Sequence, residues 1–334
     1  MNLELKEFLK EVKEEIDPLL IDALKDTTSK KFKNLVTYQV KTGGKRIRPA
    51  LTLLSSLSVG GGKDEAIEPA KVIEIFHNYS LVIDDIIDDG EVRRNKKTTV
   101  KKYGKSVTEC IGMFYATGLA ELLVDLEKDV SLELIKAMRM VIEGEIVDIM
   151  QELEVKNEPY LKENYYEQVT TEEYFEMIEM KTASLVKAAC RVGAMTGGGS
   201  DSEIKALADY GRFLGIAYQI QDDILDIFGD EDSFGKEIGK DIKEGKRGNL
   251  VIILTRNKLS NDDELLEIMK KNKLTEGDIK KAMEIIKSTD SKKKANDIKD
   301  KYINKAIDAL IVIPQNKYRS LLKEMAKFLQ EREQ

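Results

Sequence analysis

Two short stretches place aspartates at one spacing: Asp84, Asp85 and Asp88 read D-D-x-x-D, and Asp222, Asp223 and Asp226 repeat it. On a helix the first and last members lie on one face, about 6 Å apart along the axis. Six carboxylates facing one cavity could not all stay ionised unless divalent cations neutralised them. A pair of solvated acidic helix ends is the simpler alternative, and the recurrence of the spacing after two similar helices argues against it. The ligand inventory is narrow. The chain has one histidine, His77, which excludes a histidine-ligated zinc centre or a di-iron bundle built from two Glu-x-x-His pairs within one chain. Carboxylate ligands point to a hard cation, Mg²⁺.

Basic residues supply the opposite charge. Gly43-Gly44-Lys45-Arg46-Ile47-Arg48-Pro49 sets three cations where glycine and proline interrupt plain helix, and Arg93-Arg94 follows the first aspartate cluster. Lys181-Thr182, Lys236, Lys240 and Lys246 extend the set, the last three in a glycine-punctuated loop, where Lys240 reads as an ordinary surface cation. Arg forks and Lys charges bind phosphate oxygens. Acidic clusters beside basic ones are what a metal-bridged diphosphate requires. Neither Gly-Gly-Gly run has the spacing of a dinucleotide fingerprint or a P-loop.

The elements that must position these residues are helical. With five prolines and apolar residues recurring at three and four, the 334-residue chain predicts an all-α single domain, 1–334, a large helical bundle around a central cavity. Expected helices cover 3–16, 18–41, 49–59, 64–89, 106–126, 131–154, 171–197, 201–228 and 247–257, with shorter ones in a solvated flank over 258–334. The β-branched segment Asn249–Thr255 is taken as buried helix. Two units echo each other: Gly60-Gly61-Gly62 leads through a long helix to Asp84, and Gly197-Gly198-Gly199 leads likewise to Asp222. Carboxylates at a helix C-terminus oppose the helix dipole, so the repeat implies a cationic occupant. About a 100° step per residue puts His77, Ser80, Asp84 and Asp88 on one side, and Gln219, Asp222 and Asp226 on the matching side of the second helix.

Charge and composition remove other classes. Lys+Arg 54 against Asp+Glu 61 gives a net −7, which argues against nucleic acid as a partner. Cys110 and Cys190 form neither a disulfide framework nor a metal-spaced pair, which suits a cytoplasmic protein. The longest uncharged run, Pro49 to Gly62, is shorter than the roughly 18 residues of a membrane span, so none is expected. The acidic N-terminus resembles neither a signal nor a transit peptide.

With these motifs in this order the chain resembles the trans-isoprenyl diphosphate synthases, or polyprenyl synthetases, most of all the archaeal-type geranylgeranyl and farnesyl diphosphate synthases. The resemblance spans about residues 43 to 250. It implies the isoprenoid synthase fold, Mg²⁺ held by Asp84, Asp88 and Asp222, and support from Asp85, Asp223 and Asp226. It implies that Arg93, Lys181, Gln219, Lys236 and Lys246 hold an allylic diphosphate, with Thr182 beside them, and that Lys45, Arg48, His77 and Arg94 hold isopentenyl diphosphate. A homodimer is implied too, for which the apolar stretch Cys110 to Ala120 could serve, with ordinary burial of that stretch as the equal alternative. The family usually reads Arg-Arg-Gly-x-Pro-Thr after the first motif, whereas this chain has Arg93-Arg94-Asn95-Lys96-Lys97-Thr98, and Leu250 falls near a common proline. In the family, bulky residues upstream of the first motif floor the product cavity. Tyr79, with Phe76 next and the small Ser80 beside it, resembles the geranylgeranyl type, whereas an ideal helical wheel turns Tyr79 away from the aspartate face and favours Ser80 as the wall. A farnesyl or longer product, a terpene cyclase, a silent subunit of a heteromeric synthase and a non-enzymatic scaffold are the alternatives. All six aspartates and the cations Lys45 and Arg48 favour the synthase.

Overall fold

Leu5, Phe8, Val12, Ile16, Leu20 and Leu24 recur at helical spacing, and all six are buried along one continuous helix, α1 (Leu3–Lys25). The expected break at Pro18 does not occur. An internal proline costs about 3 kcal/mol, but each of the six apolar side chains gains about 1.5–3 kcal/mol on burial, so the stripe outweighs the lost bond. The chain then leaves the helix, and only the short turns Lys33–Val36 and Tyr38–Lys41 remain of the helix expected to reach residue 41.

The structure is a computed structural model that describes residues 2–26, 28–152, 159–166, 168–229, 238–258, 264–271 and 274–331. After α1 come α2 (Ile47–Ser58), α3 (Asp64–Ile87), α4 (Lys105–Val124), α5 (Lys128–Met150), α6 (Thr171–Ile178), α7 (Ser184–Thr196), α8 (Asp201–Phe228), α9 (Leu250–Arg256), α10 (Glu276–Lys287), α11 (Ser291–Ala309) and α12 (Lys317–Glu331). Among the described residues the fold is all-α, as expected, apart from a hairpin of two two-residue strands, Val92–Arg93 and Lys96–Lys97, and a single antiparallel bridge between Glu152 and Lys246. Its turn holds Arg94 at φ 54° and Asn95 at φ 58°. Asparagine tolerates this left-handed backbone, so Asn95 does what the family's glycine would do at that position.

The chain divides into two compact units, each drawn from separate stretches: Met1–Met138, Leu185–Gly211 and Ala309–Met325, and Arg139–Ser184, Arg212–Asp308 and Ala326–Gln334. In the first, α3 packs against α2 and α4. The two triglycine breaks of the sequence meet there. A Cβ on Gly61 would stand 2.3 Å from the Cα of Gly197, and one on Gly197 would stand 2.8 Å from the Cα of Ser56 on α2. Backbone therefore touches backbone where α3 and α8 begin.

The second unit has a core of Tyr174, Met177 and Ile178 from α6, Ile216, Ile220, Ile224 and Ile227 from α8, and Leu250 to Ile253 from α9. The β-branched segment is helix, as expected, and Asn249 caps it by accepting from the N–H groups of Val251 and Ile252. Residues after 258 are more than a solvated flank. Leu265, Ile268, Ala282 and Ile286 join this core, and in the first unit the Tyr210 hydroxyl donates to the Leu322 carbonyl. Between α6 and α7 the expected continuous helix widens into a π turn, Glu179–Ala183, which carries Lys181 and Thr182. Such turns insert a residue and re-aim side chains at working sites.

Candidate active site

In the first unit, α3 ends on the first aspartate motif. The Asp88 N–H closes the helix on the Asp84 carbonyl at 2.8 Å. Asp84 and Asp88 are half-buried, whereas Asp85 is only 2% exposed and accepts from Arg93 Nε at 2.9 Å. The middle aspartate thus points inward to an arginine and the outer two remain reachable. Arg94 donates to the Gly43 carbonyl, tying the hairpin to the Gly43–Arg48 segment. That segment turns through positive φ at Gly43, Gly44 and Arg46, leaving Lys45 exposed and Arg48 half-buried.

His77 lies seven residues before Asp84 on α3, with its Nε2 3.3 Å from Arg48 Nη1. Burial, then the guanidinium groups of Arg48, Arg94, Arg93 and Arg46, hold its pKa well below the ordinary 6.5, so the imidazole is neutral. Since Arg48 can only donate, Nε2 accepts and the His77 proton is assigned to Nδ1. That N–H is a donor suited to an anion. Phe76 is buried and its ring centre lies 6.0 Å from that of Tyr79, which reaches toward Gly112 on α4. Ser80 donates back to the His77 carbonyl.

In the second unit, α8 carries the second motif, and the same letters are used differently. Asp222 is half-buried, but Asp223 and Asp226 are 4% and 7% exposed. Asp223 accepts from the Tyr174 hydroxyl at 2.8 Å, the Leu250 N–H at 2.9 Å and Gln219 Nε2 at 3.0 Å. Leu250 therefore supplies a donor that proline would lack. Asp226 accepts from the N–H of Lys240 at 3.1 Å and lies 3.4 Å from that of Asp241. Burial and the neighbouring Asp241 push Asp223 up to about 8 and raise Asp226 as well. Burial and Asp241 thus disfavour the charged form of both carboxyls, a cost that a cation bound beside them would offset.

Gln219 is spanned at both ends, since its Oε1 accepts from Thr182 at 2.7 Å while its amide donates to Asp223. Lys181 pairs with Glu145 at 2.7 Å and with Asp148. Lys246 lies 3.9 Å from Asp148 and 3.4 Å from Glu244. Lys240, expected to be an ordinary surface cation, pairs with Glu244 at 3.0 Å. Lys236 lies outside the described residues.

Sequence reasoning missed Asp148. Burial alone would raise its pKa, yet Lys181 and Lys246 hold it below the usual range, so it is an anion that gathers two lysines. The accessible signal was Gly144 one turn earlier on α5. A Cβ there would stand 2.3 Å from the Lys181 nitrogen, so only glycine lets the π turn approach this closely.

Among the described residues no group of three or more His, Cys, Asp or Glu side chains is assembled as a metal cage. Mg²⁺ does not need one, because it binds through one or two carboxylates and completes its shell with water and phosphate oxygens. The half-buried pair Asp84 and Asp88 and the half-buried Asp222 fit that use.

One expectation needs refinement. Judged by length and composition, α4 (Lys105–Val124) is apolar enough to cross a membrane. Glu109 and Glu121 bound its uncharged stretch, Cys110 to Ala120, which is shorter than the Pro49 to Gly62 run. The helix is amphipathic in the other sense: Tyr115 and Leu119 are buried, while Cys110, Ala116 and Ala120 are exposed together with Met113, which is 62% exposed.

The polyprenyl synthetase family model matches residues 29–286. The short chain isoprenyl diphosphate synthase of Methanothermobacter thermautotrophicus is 35% identical over 99% of this chain and 99% of its own length. The octaprenyl diphosphate synthase of Haemophilus influenzae is 30% identical over 86% of this chain and 84% of its own. A solved structure of geranylgeranyl pyrophosphate synthetase from Pyrococcus horikoshii is 32% identical and superposes with a TM-score of 0.85, covering 99% of this chain and 100% of that one. The all-α fold is thus the isoprenoid synthase fold that the motifs implied. Aspartates that close two similar helices, cations ordered as the resemblance requires, and a likeness running nearly end to end lead to one conclusion: the chain belongs to the polyprenyl synthetase family.

Proposed function

We propose that the protein is a short-chain trans-prenyltransferase that condenses isopentenyl diphosphate with dimethylallyl, geranyl and farnesyl diphosphates, giving geranylgeranyl diphosphate. The observation that supports this reading is that Asp84, Asp88 and Asp222 are half-buried, whereas Asp85, Asp223 and Asp226 are buried and accept from Arg93, the Leu250 N–H and the Lys240 N–H. These three are the carboxylates that hold Mg²⁺. When bound, Mg²⁺ supplies positive charge that stabilises the departing diphosphate.

The chain's own residues do the rest. Arg93, Lys181, Gln219, Lys236 and Lys246 bind and orient the allylic diphosphate, so that its C–O bond ionises to a delocalised carbocation. Thr182 and Asp223 fix the Gln219 amide, and Asp148 fixes Lys181. Lys45, Arg48, Arg94 and the neutral His77 orient isopentenyl diphosphate, whose double bond attacks the cation. A proton then leaves toward the released diphosphate, and apolar walls exclude the water that would quench the cation. No side-chain nucleophile is required.

Tyr79, backed by Phe76, closes the product cavity, with Ser80 beside it. Its tilt toward Gly112 and the likeness to a geranylgeranyl synthase support that product. Octaprenyl synthases among the relatives favour the longer-chain reading as the second choice. The exposed apolar face of α4 supports a homodimer through Cys110 to Ala120, and Met113→Glu should then yield a monomer by light scattering. The deciding assay incubates the protein with Mg²⁺, isopentenyl diphosphate and each allylic primer and identifies products by mass spectrometry. Absence of condensation would overturn the reading; Tyr79→Ala should lengthen the product, and an unchanged distribution would remove Tyr79 from that role.

A further inference from the structure

Arg46 sits between two residues of the isopentenyl diphosphate set, yet it faces away from solvent. It is 2% exposed, and its backbone is left-handed at φ 51°. Nε donates to Asp17 Oδ1 at 2.6 Å, Nη1 to Glu74 Oε1 at 2.8 Å, and Nη2 to the Val40 carbonyl at 2.9 Å. The Gly43 carbonyl accepts a longer contact at 3.4 Å. One guanidinium therefore joins α1, α3 and the turn that leads into α2.

A strained, non-glycine backbone and a buried cation persist only where surrounding contacts over-determine them. Here the two carboxylates do so, and burial is outweighed enough that the Arg46 pKa rises. Glu74 is itself shared with the Asn78 amide, one turn along α3. His77 follows Glu74 by three residues, and its ring meets Arg48 at 3.3 Å. Lysine, a point charge on a flexible stem, cannot reproduce a fork that reaches three segments at once.

We propose that Arg46 is a positioning residue for isopentenyl diphosphate: through its clasp on Asp17, Glu74 and Val40 it sets the placement of Lys45 and Arg48 relative to His77, and makes α1 part of that arrangement. The proposal rests on the prenyltransferase reading above. Arg46 touches no substrate. Lys181, Gln219 and Asp222 belong to other elements and do not depend on this clasp.

The test is steady-state kinetics on the full chain, with each substrate varied in turn. Arg46→Lys should raise the KM for isopentenyl diphosphate by about tenfold or more, equivalent to one charge-assisted hydrogen bond. The KM for the allylic substrate and kcat should stay within about threefold, a split that general destabilisation would not produce. Asp17→Asn, on α1 and outside any substrate contact, should move the same KM in the same direction by less, and serves if Arg46→Lys does not fold. Equal rises in both KM values, or a lowered Tm with both unchanged, would overturn the proposal. Loss of condensation in the unsubstituted protein would instead overturn the prenyltransferase reading, and this proposal with it.

Discussion

The two aspartate motifs are written in the same letters and are built to different ends. After Asp84 the chain turns into an arginine-rich hairpin, so the inward Asp85 meets a guanidinium and both Asp84 and Asp88 stay reachable. After Asp222 the inward residues meet a tyrosine hydroxyl, a glutamine and backbone N–H groups, and only Asp222 stays reachable. The first motif has two half-buried carboxylates and one buried anchor. The second has one half-buried carboxylate and two buried ones. Identity of motif does not imply identity of role, because role depends on what arrives from elsewhere in the chain.

Substitutions can break this contrast. The largest effect should come from Asp84→Asn and Asp222→Asn, which remove reachable carboxylates: kcat should fall by about 10²- to 10³-fold while Tm hardly moves, as read by single-turnover assay and calorimetry. A marked loss of Tm in either would place it with the buried group. Asp223→Ala should do the reverse in kind. It strands the Tyr174 hydroxyl and the Leu250 N–H, each worth about 1–3 kcal/mol when left unpaired, so denaturant unfolding should show a loss of several kcal/mol, larger than for Asp84→Ala. Leu250→Pro is subtler. It introduces proline at a first-turn position that suits it, but deletes a donor to Asp223, and stability should fall by about 1 kcal/mol; an unchanged or higher midpoint would show that the N–H is dispensable.

The smallest effect concerns the cations around the first motif. Because burial, and then the arginines, keep the folded His77 pKa below its unfolded value near 6.5, the unfolded chain takes up a proton that the folded chain does not. Stability from this group is full above about 6.5 and is lost as pH falls toward the folded pKa, with a slope of at most about 1.4 kcal/mol per pH unit. His77→Gln should flatten that part of the profile. At the second motif burial, and then Asp241, raise the neighbouring carboxylates instead.

Much of this was legible in advance because it depends on local pattern. Helical spacing placed α3 and α8, the β-branched run Asn249–Thr255 marked α9, though its start at Leu250 falls three residues after the expected 247, and two equal spacings marked the carboxylates. What stayed hidden depends on contacts distant in sequence. Nothing in D-D-x-x-D shows that Asp223 meets Tyr174, 49 positions away, or the Leu250 N–H, 27 positions away. Asp148 looked like any acid on a helix until a π turn brought Lys181 to it across 33 positions. Pro18 misled for the same reason, since the packing that overrides it comes from outside its own window.

The seam between Gly61 and Gly197 bears on how the sequence is free to drift. A methyl group on Gly61 would drive into Gly197 and one on Gly197 into the Ser56 backbone, so a lone change at either position has no neutral path. The adjacent Gly60 and Gly198 have open space around them and are limited only by their positive φ, which asparagine can share. Two glycine triplets that look interchangeable in sequence therefore divide into one position closed to all variation and one open to a narrow choice. In a sampled library of variants, tolerated changes should collect at 60 and 198 and be missing from 61 and 197.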